Sequence, residues 1–145
     1  MPSFEGFDHI DCRVVSVAAV EPFYDALMPQ LGLPNKRFAY VDAGGDWHNV
    51  SAERPYNAVE YYEQPRPGHI PCFIGFIERG DHRAGFTRIA FRVERSRMIE
   101  LETALERMGA RNVERSADFE GYPAIFFEDP GGTKLELIAR APGVA

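Results

Sequence analysis

Apolar and polar residues alternate with a period of two over short stretches of this chain, which is the period of a half-buried β-strand. The clearest stretches are residues 7–14, FDHIDCRV, and residues 86–93, FTRIAFRV, which share Phe, Ile, Arg and Val at equivalent positions. In the first copy the polar positions are His9, Asp11 and Arg13. A repeat of this length in a short chain indicates a duplicated unit, whose polar faces are the places to look for chemistry.

Each copy of the repeat is followed by a helical pattern and then by further strand patterns. The first helix is predicted over residues 16–32, with Gly32 in the left-handed cap position, and the second runs from an N-cap at Ser96 to Gly109. Around residues 47–50 the pattern allows either a short strand or a loop. The remaining predicted strands are residues 37–42, 57–64, 72–78, 111–115, 124–129 and 134–139.

The order strand, helix, three strands thus occurs twice. We predict an α+β fold in one domain, made of two tandem βαβββ units at about residues 5–80 and 84–141. Successive strands are close enough for hairpins, so each sheet should be mixed and mostly antiparallel, with its own helix on one face. The uncovered faces carry polar residues, and two such units are expected to form a cleft lined by the sheets, where a small-molecule ligand binds.

Composition narrows the classes of partner. The 145 residues include 22 acidic side chains against 16 Lys and Arg, a formal net charge of −6, which disfavours nucleic acid and anionic lipid. No apolar run approaches the roughly 20 residues of a membrane span, and no signal-peptide pattern opens the chain. We therefore expect a cytoplasmic protein without nucleic-acid or membrane partners. Cys12 and Cys72 lie in apolar strand patterns and are expected to be buried free thiols.

The duplicated unit, the sequence RIAFRV and the closing FEDPGGTKLEL resemble the vicinal oxygen chelate superfamily. This superfamily includes glyoxalase I, extradiol dioxygenases, fosfomycin resistance enzymes and bleomycin resistance proteins. The resemblance covers residues 7–140. It implies a divalent metal in the cleft, bound by the first and last strands of each unit, and it implies that short two-unit chains pair as two-fold homodimers.

The four implied ligand positions correspond to His9, Gly75, Arg88 and Glu136. His9 and Glu136 can bind zinc, nickel, iron or manganese. Gly75 has no donor, and the guanidinium of Arg88 stays protonated and repels a cation beside it. The implied metal site is therefore incomplete.

One hypothesis is a metal-dependent enzyme of lyase, isomerase or dioxygenase type. His9 and Glu136 act as metal ligands and catalytic residues, and a third ligand comes from His48, Glu60 or Glu63. Open coordination positions bind and polarise substrate oxygens.

A second hypothesis replaces the metal with Arg88, which pairs with Glu136 and offers its remaining donors to a carboxylate, phosphate or enolate oxygen. The protein then binds a small anionic or oxygen-rich molecule, or uses His9 as a proton shuttle. The further candidate substrate-binding residues are Trp47, His48 and Arg92.

A third hypothesis is a non-catalytic interaction module, in which these charged side chains form structural ion pairs. It predicts that changes at Arg88 or Glu136 alter stability without altering the affinity for any small molecule.

Overall fold

The computed structural model describes residues 9–82 and 88–139, and their elements repeat the order predicted from the sequence. The α+β class with two tandem βαβββ units is confirmed. The segment whose assignment was left open forms the short strand β3. In chain order the elements are β1 (His9–Val14), α1 (Val17–Gln30), β2 (Asn35–Val41), β3 (Trp47–His48), β4 (Ala58–Tyr62), β5 (Phe73–Glu78), β6 (Arg88–Arg92), α2 (Met98–Met108), β7 (Arg111–Arg115), β8 (Ala124–Glu128) and β9 (Lys134–Ile138).

The first sheet has the strand order β1-β5-β4-β2-β3. β1 and β5 pair in parallel and the other neighbours are antiparallel, as predicted for a mixed sheet. Tyr61 and Phe76 point to one face of this sheet and are almost inaccessible to solvent. The polar residues of β1 point to the other face.

The second sheet has the strand order β6-β9-β8-β7, which repeats the order β1-β5-β4-β2 of the first sheet. β6 and β9 are parallel, and the remaining pairs are antiparallel. The pairing of β7 with β8 is interrupted between Arg111 and Glu114 by a bulge. Within it Asn112 has φ +53°, which few residues other than glycine adopt.

Helix α1 does not follow the expectation that each helix covers the sheet of its own half. Its segment Ala18–Leu27 forms a compact unit with the second half of the chain. The Tyr24 hydroxyl donates a 2.7 Å hydrogen bond to Oδ2 of Asp129, and the Phe23 and Phe127 rings lie 6.5 Å apart. A hydrogen bond between buried polar groups and a contact between aromatic rings thus hold this segment of α1 in the second unit.

Three local predictions can also be judged. Gly32 does take the left-handed conformation after α1, with φ +91°. The N-cap at Ser96 is wrong, because Ser96 lies in a 3-10 turn and α2 follows Arg97, which makes no side-chain cap. Cys12 and Cys72 are free thiols, but each is half-buried rather than buried, since both lie in strands or loops with one accessible side.

None of the described helices combines the length and the apolar character that crossing a bilayer requires.

Candidate functional site

A polar surface covers one face of the second sheet. Residues in register on neighbouring strands point to the same face, so the pairings determine its membership. One row runs Arg88, Lys134 and Glu128 across β6, β9 and β8, and the next runs Ala90, Glu136, Phe126 and Glu114 from β6 to β7. This second-sheet polar face comprises Arg88, Ala90, Arg92, Glu114, Phe126, Glu128, Lys134 and Glu136.

Arg88 lies over an aromatic ring on this face. The centre of its guanidinium is 4.6 Å from the Phe126 centroid, a cation–π geometry in which the side chain reaches across β9 to β8. The ion pair expected between Arg88 and Glu136 does not form, and no other carboxylate of the described residues pairs with Arg88. Its N–H donors are therefore available to a ligand.

A pocket of about 240 Å³ opens beside Arg88. One of its carboxylates, Glu128, is already neutralised: the Asn112 amide donates a 2.6 Å hydrogen bond to Oε2, and Lys134 Nζ lies 3.6 Å from Oε1. The Asn112 bond holds the pKa of Glu128 below its ordinary value of 4.5, against the effect of burial and with help from the charges of Lys134 and Arg111. The lining residues are Arg88, Asn112, Glu114, Phe126, Phe127, Glu128 and Lys134.

The other two carboxylates of this face are less compensated. Glu114 is exposed and stands opposite Phe126 on the edge strand β7. Glu136 is 7% exposed, between Ala90 and Phe126 in its row, and makes no hydrogen bond or ion pair with the described part of the chain. Glu136 lies in the same row as Phe126 and Glu114, which line the pocket, but Glu136 does not line the pocket itself.

Asn112 is a site residue that the sequence did not predict. Its side chain reaches Glu128 because the bulge and the positive φ turn it out of the normal strand alternation. The available signal was weak: asparagine tolerates this conformation better than other residues, but the bulge depends on pairing with β8.

His9 belongs to the polar face of the first sheet. Its ring stacks on Phe73 with 4.6 Å between centroids and 4° between planes, and Nε2 lies 3.7 Å from Oδ2 of Asp11. The guanidinium of Arg37 lies 4.8 Å from the same Phe73 ring and 4.9 Å from that of Tyr62. These contacts place Tyr62 on the face of His9, whereas the preceding residue, Tyr61, is buried.

Gly75 lies in the same row as Asp11, Glu60 and Arg37. A Cβ added to Gly75 would stand 2.8 Å from Oδ1 of Asp11 and 3.8 Å from Oε2 of Glu60. Asp11 leans over the glycine, and Glu60 accepts a 2.8 Å bond from Nε of Arg37. The resemblance assigned a metal ligand to the position of Gly75. Because Gly75 has no side chain, Asp11 and Glu60 fill the space at that position instead.

Among the comparisons with known proteins, the search of solved structures gives matches. No family model matches the sequence, and no curated protein does. Among solved structures, a glyoxalase/bleomycin resistance protein from Albidiferax ferrireducens T118 is similar over 93% of this chain and 98% of its own, with 18% identity and a TM-score of 0.60. The fosfomycin resistance protein FosX from Mesorhizobium loti matches over 96% and 94%, with 16% identity and a TM-score of 0.55.

The chain has the glyoxalase/bleomycin resistance fold. The resemblance noted in the sequence is confirmed at that level. A FosX variant from Listeria monocytogenes, complexed with Mn(II) and 1S,2S-dihydroxypropylphosphonic acid, has the same fold with 16% identity and a TM-score of 0.55, over 96% of this chain and 95% of that one.

The donor side chains of the described residues do not fit the divalent metal that this fold implies. Across residues 9–82 and 88–139, no three His, Cys, Asp or Glu side chains gather as a metal-binding group. Two of the four implied positions hold Gly75 and Arg88, which are no ligands. The candidates for a third ligand are each engaged locally: His48 with Asp42 at 2.7 Å, Glu60 with Arg37 at 2.8 Å, and Glu63 with His69 at 2.5 Å.

The remaining predicted residues are placed as follows. Trp47 is 44% exposed at the start of β3 and contributes to the first sheet's edge. Arg92 is exposed on the second-sheet polar face, two residues along β6 from Ala90, and does not line the pocket.

Proposed function

We propose that this protein binds a small anionic or oxygen-rich molecule on the second-sheet polar face, with Arg88 in the place of a metal ligand. The observation that carries the proposal is the guanidinium of Arg88 over the Phe126 ring, without a carboxylate partner in the described residues and beside an open pocket. Lys134, in register with Arg88, adds a second positive charge to the same row.

The chemistry of the pair suits an oxyanion. A guanidinium presents donors in a planar fork that matches carboxylate and phosphate oxygens, and Phe126 holds that fork in one orientation. Lys134 is shared with Glu128, so its charge is only partly available. The dihydroxypropylphosphonic acid bound by the Listeria FosX variant is an anion of this class, which supports the proposal.

Titration with 1,2-dihydroxypropylphosphonic acid, followed by NMR, tests the proposal. We expect saturable binding to the wild-type protein and a decrease in affinity of about 10- to 100-fold in Arg88→Gln, as for a lost charge-assisted bidentate contact. Arg107→Gln removes one exposed arginine from α2 and should leave the affinity unchanged. Equal affinity in Arg88→Gln and the wild type would contradict the proposal, and a change in stability alone would favour an interaction module.

A second candidate is a metal-dependent lyase, isomerase or dioxygenase that uses His9 and Glu136. The Mn(II) in the Listeria FosX complex favours it, while the donor set described above does not. Metal analysis of protein incubated with nickel, iron, zinc and manganese separates the two candidates. Stoichiometric metal that is lost in Glu136→Ala would replace the Arg88 proposal with this one.

We also propose a two-fold homodimer in the cytoplasm, the commonest symmetry of soluble homo-oligomers. Sedimentation at micromolar concentration should give the mass of two chains, and a monomer at that concentration would contradict the proposal.

A further inference from the structure

The charges around the pocket are unequally compensated. Glu128 accepts a hydrogen bond from the Asn112 amide and lies close to Lys134, so the negative charge of Glu128 is already compensated. Arg88 and Glu114 have no such partner in the described part of the chain. A pocket with one free positive and one free negative charge can satisfy both in a ligand that carries both.

The two free charges are placed on either side of one ring. The guanidinium of Arg88 lies 4.6 Å from the Phe126 centroid, and Glu114 is in register with Phe126 on the adjacent strand. Side chains in register on neighbouring antiparallel strands have Cβ atoms about 5 Å apart. Although Arg88 and Glu114 share the pocket and have opposite charges, they form no ion pair with each other.

We infer that the pocket selects an amphoteric ligand, and this inference rests on the proposed function. The oxyanion binds Arg88, the flat or apolar middle of the ligand packs against the part of the half-buried Phe126 ring that Arg88 leaves uncovered, and a protonated amine binds the carboxylate of Glu114. The volume of about 240 Å³, roughly that of eight water molecules at about 30 Å³ each, accommodates one ring with short substituents.

Glu114 is the amine-binding carboxylate because its two neighbours are unsuitable. The oxygens of Glu128 are engaged with Asn112 and Lys134, and the Asn112 bond depends on the bulge in β7. Glu136 is only 7% exposed, so an ammonium group would lose most of its water to reach it. Glu114 is exposed and keeps its charge accessible.

Three matched probes test the inference by calorimetric or NMR titration: 4-(aminomethyl)benzoate, 4-methylbenzoate and 4-methylbenzylammonium. We expect the first to bind the wild type at least about 10-fold more tightly than the other two, since a second charge-assisted contact is worth about that factor. Glu114→Gln should abolish this preference and leave the affinity for 4-methylbenzoate unchanged. Glu106→Gln, an exposed glutamate on α2, is the matched control and should change neither affinity.

The outcomes separate the inference from the function beneath it. If 4-methylbenzoate binds and weakens in Arg88→Gln, but the amphoteric probe binds no more tightly, the inference fails and the proposed function stands. If Glu114→Gln strengthens 4-methylbenzoate binding, Glu114 is a partner of Arg88 in solution and the inference is also overturned. If neither 4-methylbenzoate nor 4-(aminomethyl)benzoate binds at millimolar concentration, or if neither responds to Arg88→Gln, the inference is overturned. The proposed function is overturned with it if 1,2-dihydroxypropylphosphonic acid also shows no binding that depends on Arg88.

Discussion

The substitution Tyr24→Phe removes one hydroxyl at the point where α1 joins the second unit. Tyr24 and Asp129 are both inaccessible to solvent, and the hydroxyl donates a 2.7 Å bond to Oδ2 of the carboxylate. The other oxygen, Oδ1, still accepts from the backbone N–H groups of Gly131 and Thr133. The substitution therefore leaves one oxygen of a buried carboxylate without its side-chain donor.

Hydrogen bonds to charged groups contribute about 1.5–3 kcal/mol, so we expect Tyr24→Phe to lower the free energy of unfolding by about 2 kcal/mol. For a chain of this size that corresponds to a fall in melting temperature of about 4–8 °C. Urea unfolding monitored by circular dichroism measures the free energy, and calorimetry measures the melting temperature.

Tyr62→Phe is the matched control, because the hydroxyl of Tyr62 makes no hydrogen bond within the described residues. It should change stability by less than about 0.5 kcal/mol. A double-mutant cycle of Tyr24→Phe with Asp129→Asn should give a coupling energy of about 1 kcal/mol or more. If Tyr24→Phe is as mild as the control, the hydroxyl does not anchor α1 and the reasoning is refuted.

The remaining predictions concern pH, backbone strain and metal affinity. Hydrogen bonds from His69 and a backbone N–H lower the pKa of Glu63 below 4.5, so its ionised form stabilises the fold above that pH. The difference in melting temperature between the wild type and Glu63→Gln should therefore shrink as pH falls below 4.5. A difference that stays constant with pH would contradict this. Asn112→Ala should be about 1 kcal/mol less stable to urea than Asn112→Gly, because both lose the bond to Glu128 but only alanine is strained at φ +53°. Arg88→His exchanges a fixed cation for an imidazole, so calorimetry with zinc should show tighter binding than to the wild type; equal affinities would count against the geometry proposed for this face.

Local pattern was enough to predict the strands. Alternation with period two depends only on which side of a strand is buried, so β9 appears in the sequence within a residue of its observed ends, and β1 and β6 agree with the prediction to within a residue at their carboxyl ends. The predicted residues 7, 8, 86 and 87 lie outside the described part of the chain. The same alternation placed Arg88 on a polar strand face, and the resemblance assigned Glu136 to the last strand of the second unit. The pairing of β6 with β9 then puts both on one face of the second sheet.

The contacts made by those side chains could not be predicted in the same way. Arg88 was expected to pair with Glu136 and lies instead over Phe126. A long flexible side chain can reach several neighbours, and on a half-exposed face a cation–π contact competes in free energy with an ion pair. Asn112 escaped prediction since a bulge is a property of two paired strands rather than of one.

By itself the sequence determined the duplicated α+β fold and the residue types on each strand face, because these depend on composition and on short-range periodicity. Of the four metal positions that the resemblance implies, the sequence also showed that two, Gly75 and Arg88, hold no donor. Only the tertiary structure decided that α1 packs in the second unit, that Glu128 is neutralised by Asn112 and Lys134, and that Arg88 and Glu114 flank the Phe126 ring. These outcomes depend on register and packing between residues far apart in the chain, where several arrangements satisfy the same local pattern and small differences in free energy select one of them.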